Sequence, residues 1–187
     1  PLGVVGIIPA WNYPFSIPLG EAVMALMAGN TVVIKPSELT PFIGLKIGEI
    51  IAKAVEQAAK PVQNLVQIVT GDGTTGAALV DAAPDKIMFT GSVATGKRIA
   101  AAAAKNLTST VLELGGKDPM IVFEDANLDL AAGAAVWGAF CNAGQSCSSV
   151  ERLYVHESVA AELTQKIVER TKLLKVGGSG DDVSLGA

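Results

Sequence analysis

The chain has 187 residues, half of them hydrophobic and 17% charged, which allows a sizeable core and argues against disorder. A net charge of −4 with no basic run argues against nucleic acid and anionic membranes as partners. Two cysteines, Cys141 and Cys147, are too few for a disulfide framework, and without a nearby histidine they make a poor zinc site. They fit a reducing, cytoplasmic compartment. No charged n-region of a secretory signal opens the chain. Its longest apolar run, Leu130 to Cys141, is shorter than the roughly 20 residues of a membrane span. It starts on Pro1 and ends at Gly186-Ala187 after a Gly/Asp/Ser stretch, as expected of a segment from a longer protein.

Val4 to Ile8 reads as a buried strand closed by Pro9. Helical spacing follows from Ile17 to Ala28, ending at Gly29-Asn30, and Thr31 to Ile34 is a second strand. Pro41 suits a first helical turn, and that helix is expected to reach about Ala59. Leu65 to Val69 is a third strand, followed by a glycine-rich turn and a helix through Leu79. Lys86 to Phe89, a helix from about Ala94 to Lys105, and Thr110 to Leu114 complete the series. Continuous apolar strands alternating with amphipathic helices predict a doubly wound α/β domain with a mostly parallel, Rossmann-like sheet over residues 1–116. Residues 117–187 read as the first part of a second α/β domain. It holds strands at Met120 to Phe123 and Arg152 to Val155, a small-residue helix from Leu130 to Cys141, and an amphipathic helix from Ser158 to Leu174.

Several residues carry possible chemistry. Gly71-x-Gly73-x-x-Gly76 lies between strand and helix like a dinucleotide-binding turn, but it follows the third strand, and glycines there also serve turn geometry alone. Glu38, just past the second strand, is placed to bind ribose hydroxyls, with Lys35 beside it for ribose or phosphate; a solvated loop pair is the alternative. Thr90-Gly91-Ser92 opens a helix whose N-terminus favours an anion, and Ser92 also suits an N-cap. Glu113 ends an apolar strand before Gly115-Gly116, and partial burial there would suit it to general-base work; an ion-paired strand end is the alternative. Asn12 offers an amide for a developing oxyanion. Trp11 suits packing, and His156, the single histidine, reads as a surface residue. Cys147 follows Gly144, expected to end the small-residue helix, on a turn of Gln and Ser residues. Such a polar turn is poor company for a structural thiol and suits a reactive one.

Together these pieces resemble the NAD(P)-dependent aldehyde dehydrogenase superfamily, through Pro9-Ala10-Trp11-Asn12-Tyr13-Pro14, Lys35-Pro36-Ser37-Glu38, Phe89-Thr90-Gly91-Ser92, Glu113-Leu114-Gly115-Gly116-Lys117 and Gly144-Gln145-Ser146-Cys147 in the family's order. The resemblance implies oxidation of a small aldehyde to a carboxylic acid with NAD, or NADP, in a homo-oligomeric parent protein. Cys147 would be the nucleophile, Asn12 the oxyanion donor and Glu113 the base that activates water. Lys35 and Glu38 would hold the adenosine ribose, Ser92, Gly91 and Trp11 the pyrophosphate region, and Gly73 would flank the adenine. Glu38 would repel a 2′-phosphate and so favours NAD. Ala10 and Val93 depart from a frequent proline and threonine, and the family's downstream Glu-x-Phe-Gly-Pro segment does not occur. A CoA-acylating relative would have no need of Glu113. A catalytically silent nucleotide-binding relative would not be expected to keep Cys147, Glu113 and Asn12 together.

Overall fold

The computed structural model describes residues 1–58, 62–178, 180 and 182–186; Ala59, the expected end of the second helix, and Ala187 lie outside them. The chain forms two compact units, Pro1–Leu114 and Gly115–Ala187, so the paired glycines expected to close the first unit open the second.

The first unit comprises β1 (Val4–Ile8), α1 (Ser16–Met27), β2 (Thr31–Ile34), α2 (Pro41–Glu56), β3 (Val66–Ile68), α3 (Gly73–Asp81), β4 (Lys86–Gly91), α4 (Val93–Ala104) and β5 (Ser109–Leu114). Its strands pair in parallel in the order β3-β2-β1-β4-β5. Side chains alternate along a strand, so each face feeds its own core. Val5, Ile7, Val32 and Ile34 pack against Ala22 and Ala25 of α1 and Ile47 and Ile51 of α2. On the other face, Ile8, Ile87 and Phe89 pack against Val80 of α3 and Ile99 and Ala103 of α4. Helices therefore cover both faces, as the alternation predicts. The strand order reverses between β1 and β4, which opens a crevice beyond their carboxyl ends.

Local chemistry sets the boundaries. Gly29 takes φ +81° after α1, and the Gly29 and Asn30 amides donate to the Leu26 and Ala25 carbonyls, satisfying the open end of the helix. Asn30 is buried and accepts from the Leu2 and Gly3 amides, which fixes the entry into β1. Asp85 does the same for the Val4 amide at 2.7 Å. β4 runs two residues beyond its expected end because pairing with β5 continues through Thr90–Glu113 and Gly91–Leu114.

The second unit contains β6 (Asp118–Val122), α5 (Leu128–Phe140), β7 (Val150–Val155) and α6 (Glu157–Thr171), with β6 and β7 paired in parallel. Val122, Ala131, Ala132 and Leu163 form its core. The Asn127 side chain accepts from the Asp129 and Leu130 amides, which starts α5 two residues before its expected beginning. His156 caps α6 and pairs with Glu124 at 3.0 Å, a surface arrangement. α5 buries only small residues on its inner face, while Leu130 and Trp137 stand exposed. Among the described residues no helix is long and apolar enough to cross a membrane, and no cluster of three or more His, Cys, Asp or Glu side chains could hold a metal.

Candidate active site

The ends of β1, β2 and β4 and one side of α3 and α4 line a cleft of about 750 Å³. It brings together Trp11, Lys35, Glu38, Gly73, Gly91 and Ser92. Trp11 is 44% exposed, so it lines the cleft more than it packs a core. Lys35 is buried, with its ammonium 3.2 Å from the exposed Glu38 carboxylate, so only the glutamate behaves as a solvated loop charge. The backbone amide of Glu38, and then the Lys35 ammonium, hold the Glu38 carboxyl below its ordinary range. A Cβ at Gly76 would lie 3.8 Å from the Lys35 stem and one at Gly73 would meet nothing, so this wall of the cleft stays open.

The glycine-rich turn does not present a ready anion site. Asp72 caps α3, accepting from the Thr74 amide at 2.8 Å, and so already places a carboxylate at the positive end of the helix. α4 differs. Its cap is the neutral Ser92 hydroxyl, which accepts from the Thr95 amide at 3.2 Å and leaves the helix dipole uncompensated at the cleft. A Cβ at Gly91 would come within 2.5 Å of the Phe89 ring, so the turn into α4 requires glycine. Thr95, Arg98 and Lys105 also line the cleft, and sequence reasoning passed over them. Their spacing of three and seven residues marks one face of α4, a signal available beside Ser92.

Asn12 lies partly buried in the loop between β1 and α1. Glu113 is the penultimate residue of β5, and its side chain is exposed, so the burial that would suit it to general-base work is absent from this unit. Leu112 and Leu114 turn towards the α4 core, so Glu113 points to the opposite face of an edge strand.

The buried carboxylate is Glu21, which the sequence did not single out. It is the only charged residue of α1 and lies on the inner stripe with Pro18, Ala22 and Ala25. Burial pushes it up to about 7, the Thr90 hydroxyl opposes that rise, and the negative charge of Glu113 adds to it. Because the folded form binds this proton more tightly than the unfolded chain, the contribution of Glu21 to stability is fully present below about pH 4.5 and is lost as pH rises through about 7. A rise from 4.5 to about 7, at about 1.4 kcal/mol for each pH unit, corresponds to a penalty on the order of 3 kcal/mol at pH 8. Glu21→Gln is therefore expected to stabilise the protein at pH 8 and to leave it unchanged near pH 4.5. Denaturant unfolding at the two values measures this; an equal effect at both would contradict a buried, titrating carboxyl.

In the second unit α5 stops at Phe140, one residue before the expected Cys141, and a short 3-10 turn, Cys141–Gly144, carries the chain to Gly144, the expected stop. Asn142, Ala143 and Gly144 then take φ of 53°, 58° and 74°, three left-handed residues in succession. For Ala143 that conformation costs roughly 1 kcal/mol or more, strain of the kind that gathers at functional sites. The Asn142 side chain donates to the Gln145 carbonyl at 3.2 Å, and the Ser149 amide donates to Ser146 at 3.1 Å. Cys147 thus sits exposed inside a tight turn. Ser149 is buried and donates to the Gly138 carbonyl at 2.9 Å, anchoring the turn to the end of α5. A Cβ at Gly138 would come within 2.6 Å of Val150, and one at Gly116 within 3.2 Å of the Cys147 carbonyl, so both glycines permit close approach around the thiol segment.

The family model for the aldehyde dehydrogenase family matches residues 1–187. The chain belongs to that family. Among curated relatives, a 4,4'-diapolycopene aldehyde oxidase of Methylomonas sp is 47% identical over 177 residues, 95% of this chain and 32% of that protein. A betaine aldehyde dehydrogenase of Rhizobium leguminosarum bv. trifolii (strain WSM2304) is 45% identical over 186 residues, 98% of this chain and 37% of its own. The crystal structure of PnpE from Pseudomonas sp. WBC-3 superposes with a TM-score of 0.92 at 40% identity, covering all of this chain and 38% of PnpE. PnpE has also been solved in complex with nicotinamide adenine dinucleotide. This aldehyde dehydrogenase family chain spans about a third of the length of the curated relatives it matches.

Proposed function

We propose that the protein carrying this chain oxidises an aldehyde to a carboxylic acid with NAD through a covalent intermediate on Cys147. The observation that supports the reading is the family match over residues 1–187, beside which the segments around Asn12, Glu113 and Cys147 resemble the family's motifs. The first unit binds the dinucleotide and the second carries the thiol. The protein acts in the cytoplasm as a homo-oligomer.

The cleft of the first unit suits a dinucleotide in size and donors. The Lys35–Glu38 pair is placed for ribose hydroxyls, the N-terminus of α4 for a phosphate, and the side-chain-free wall at Gly73 for a flat ring. The exposed Glu38 carboxylate disfavours a 2′-phosphate, so NAD is the preferred form and NADP the secondary one.

The thiolate of Cys147 adds to the aldehyde carbon, and the new C–S bond leaves an oxyanion that accepts from the Asn12 amide and the Cys147 N–H. NAD, held by Trp11, Lys35, Glu38 and the N-terminus of α4, would supply the hydride acceptor needed for this adduct to become a thioester. Glu113 takes a proton from water as the water attacks the thioester carbon. The C–S bond breaks, the carboxylic acid leaves and Cys147 returns as thiolate. An acceptor of this kind makes hydrolysis, not acyl transfer to CoA, the fate of the thioester.

A panel of aliphatic and aromatic aldehydes mixed rapidly with the protein and NAD tests the reading. A burst of NADH close to one equivalent per Cys147, followed by slower turnover to free acid without CoA, is expected. Absence of a burst across the panel would sink it.

A further inference from the structure

The α4 side of the cleft carries a cation to which the proposed function gives no task. Gly73, Gly76 and Ala77 line the cleft from α3, and Ser92, Thr95 and Arg98 line it from α4. Each set recurs at a spacing of three or four and so marks one helix face. The two helices pack against each other, and these faces bound the space between them at the cleft. The α3 face is bare: a Cβ at Gly73 would meet nothing, and one at Gly76 would approach only the Lys35 stem, at 3.8 Å. The α4 face carries the exposed guanidinium of Arg98. Among the described residues Arg98 makes no ion pair and no side-chain hydrogen bond.

Position along the helix narrows what this cation meets. Arg98 lies six residues past the Ser92 cap, about 9 Å along the axis at about 1.5 Å per residue. A phosphate at the N-terminus of α4 and a ribose at the Lys35–Glu38 pair leave the base on the far side of the ribose from the phosphates. Gly76 adjoins the Lys35 stem, so a base attached to that ribose enters beside the bare α3 face. Its other face then turns to α4, where Arg98 is the planar charged group. A guanidinium is flat, delocalised and weakly hydrated, and it stacks on aromatic rings, whereas an ammonium acts as a point charge.

We infer that Arg98 is a binding residue for the purine base, its guanidinium lying on the ring face turned away from Gly73. This rests on the cleft being the dinucleotide site proposed above. The contact is indifferent to the 2′ position, so Arg98 tightens NAD and NADP by the same factor and leaves the choice between them to Glu38.

The test is calorimetric binding, without aldehyde, of NAD, NADP and nicotinamide mononucleotide to the protein carrying this chain. The native form is compared with Arg98→Ala and Arg98→Lys; both substitutions suit an exposed helical position, so folding should survive. NAD and NADP should each bind roughly tenfold more weakly to Arg98→Ala, with their ratio unchanged. Arg98→Lys should recover little of the loss, because it keeps the charge and not the plane. Nicotinamide mononucleotide, which has a phosphate and no purine, should bind all three forms alike. Unchanged NAD affinity in Arg98→Ala overturns the inference. So does full recovery by lysine, which would make Arg98 a phosphate partner, or a loss confined to NADP, which would place it at the 2′-phosphate. Failure of the native protein to bind NAD overturns both the inference and the dinucleotide site. Arg98-dependent binding in a protein that gives no NADH burst upholds the inference and counts against the proposed function alone.

Discussion

Cys147→Ala is expected to remove the NADH burst entirely and to lower kcat by about four orders of magnitude or more, while the protein keeps its fold and its affinity for NAD. The magnitude follows from how nucleophiles behave when removed singly: the remaining donors retain some rate advantage over water, but the covalent route is gone. Folding should survive because Cys147 is exposed and its turn is held by backbone and serine contacts, not by the thiol. Calorimetric binding of NAD and unfolding of the variant separate lost chemistry from lost structure. The other thiol provides a control. Cys141 is partly buried at the end of α5, and Cys141→Ala should retain the burst. A burst that persisted in Cys147→Ala and vanished in Cys141→Ala would transfer the nucleophile to the wrong side of the left-handed turn.

Glu113→Gln is expected to separate the two halves of the reaction. The amide cannot take a proton from water, so steady-state turnover should fall by about 10²- to 10⁴-fold, the usual worth of a general base. The first-turnover burst should remain, and the acyl-enzyme should accumulate. Mass spectrometry of the intact protein after mixing would show the added acyl group on Cys147. Because Glu113 is exposed on an edge strand, the substitution has no core to disturb and stability should hardly change. Loss of the burst in a folded variant would place Glu113 in the acylation step instead.

The fold was largely legible because its strands are short continuous apolar runs separated by turn residues, as in β1 and β2. Placing Lys35, Glu38 and Ser92 at one edge followed from their positions just after strands of a parallel sheet, whereas Trp11 was read as packing and joined them only through the family resemblance. Glu21 stayed hidden because α1 has no polar face to contrast with a buried one. It exposes Val23, Met24 and Met27 while burying Pro18, Ala22, Ala25 and the glutamate itself. Periodicity cannot find the inside of such a helix. The left-handed run after α5 is hidden for a related reason. Gly144 signals a left-handed residue, but nothing about Ala143 announces that it shares that conformation. The exposure of Glu113 depended on the strand's place at the sheet edge, which strand order determines and a single strand's sequence does not.

The turn that presents Cys147 depends on neighbours without reactive groups of their own. Gly138 admits Val150, Gly144 reverses the chain at φ 74°, and Ser149 ties the segment back to α5. In evolutionary terms, a descendant lineage can therefore lose the reaction by ordinary drift at these positions while its thiol remains in place. Counting retained cysteines among such descendants would overstate how many still oxidise anything.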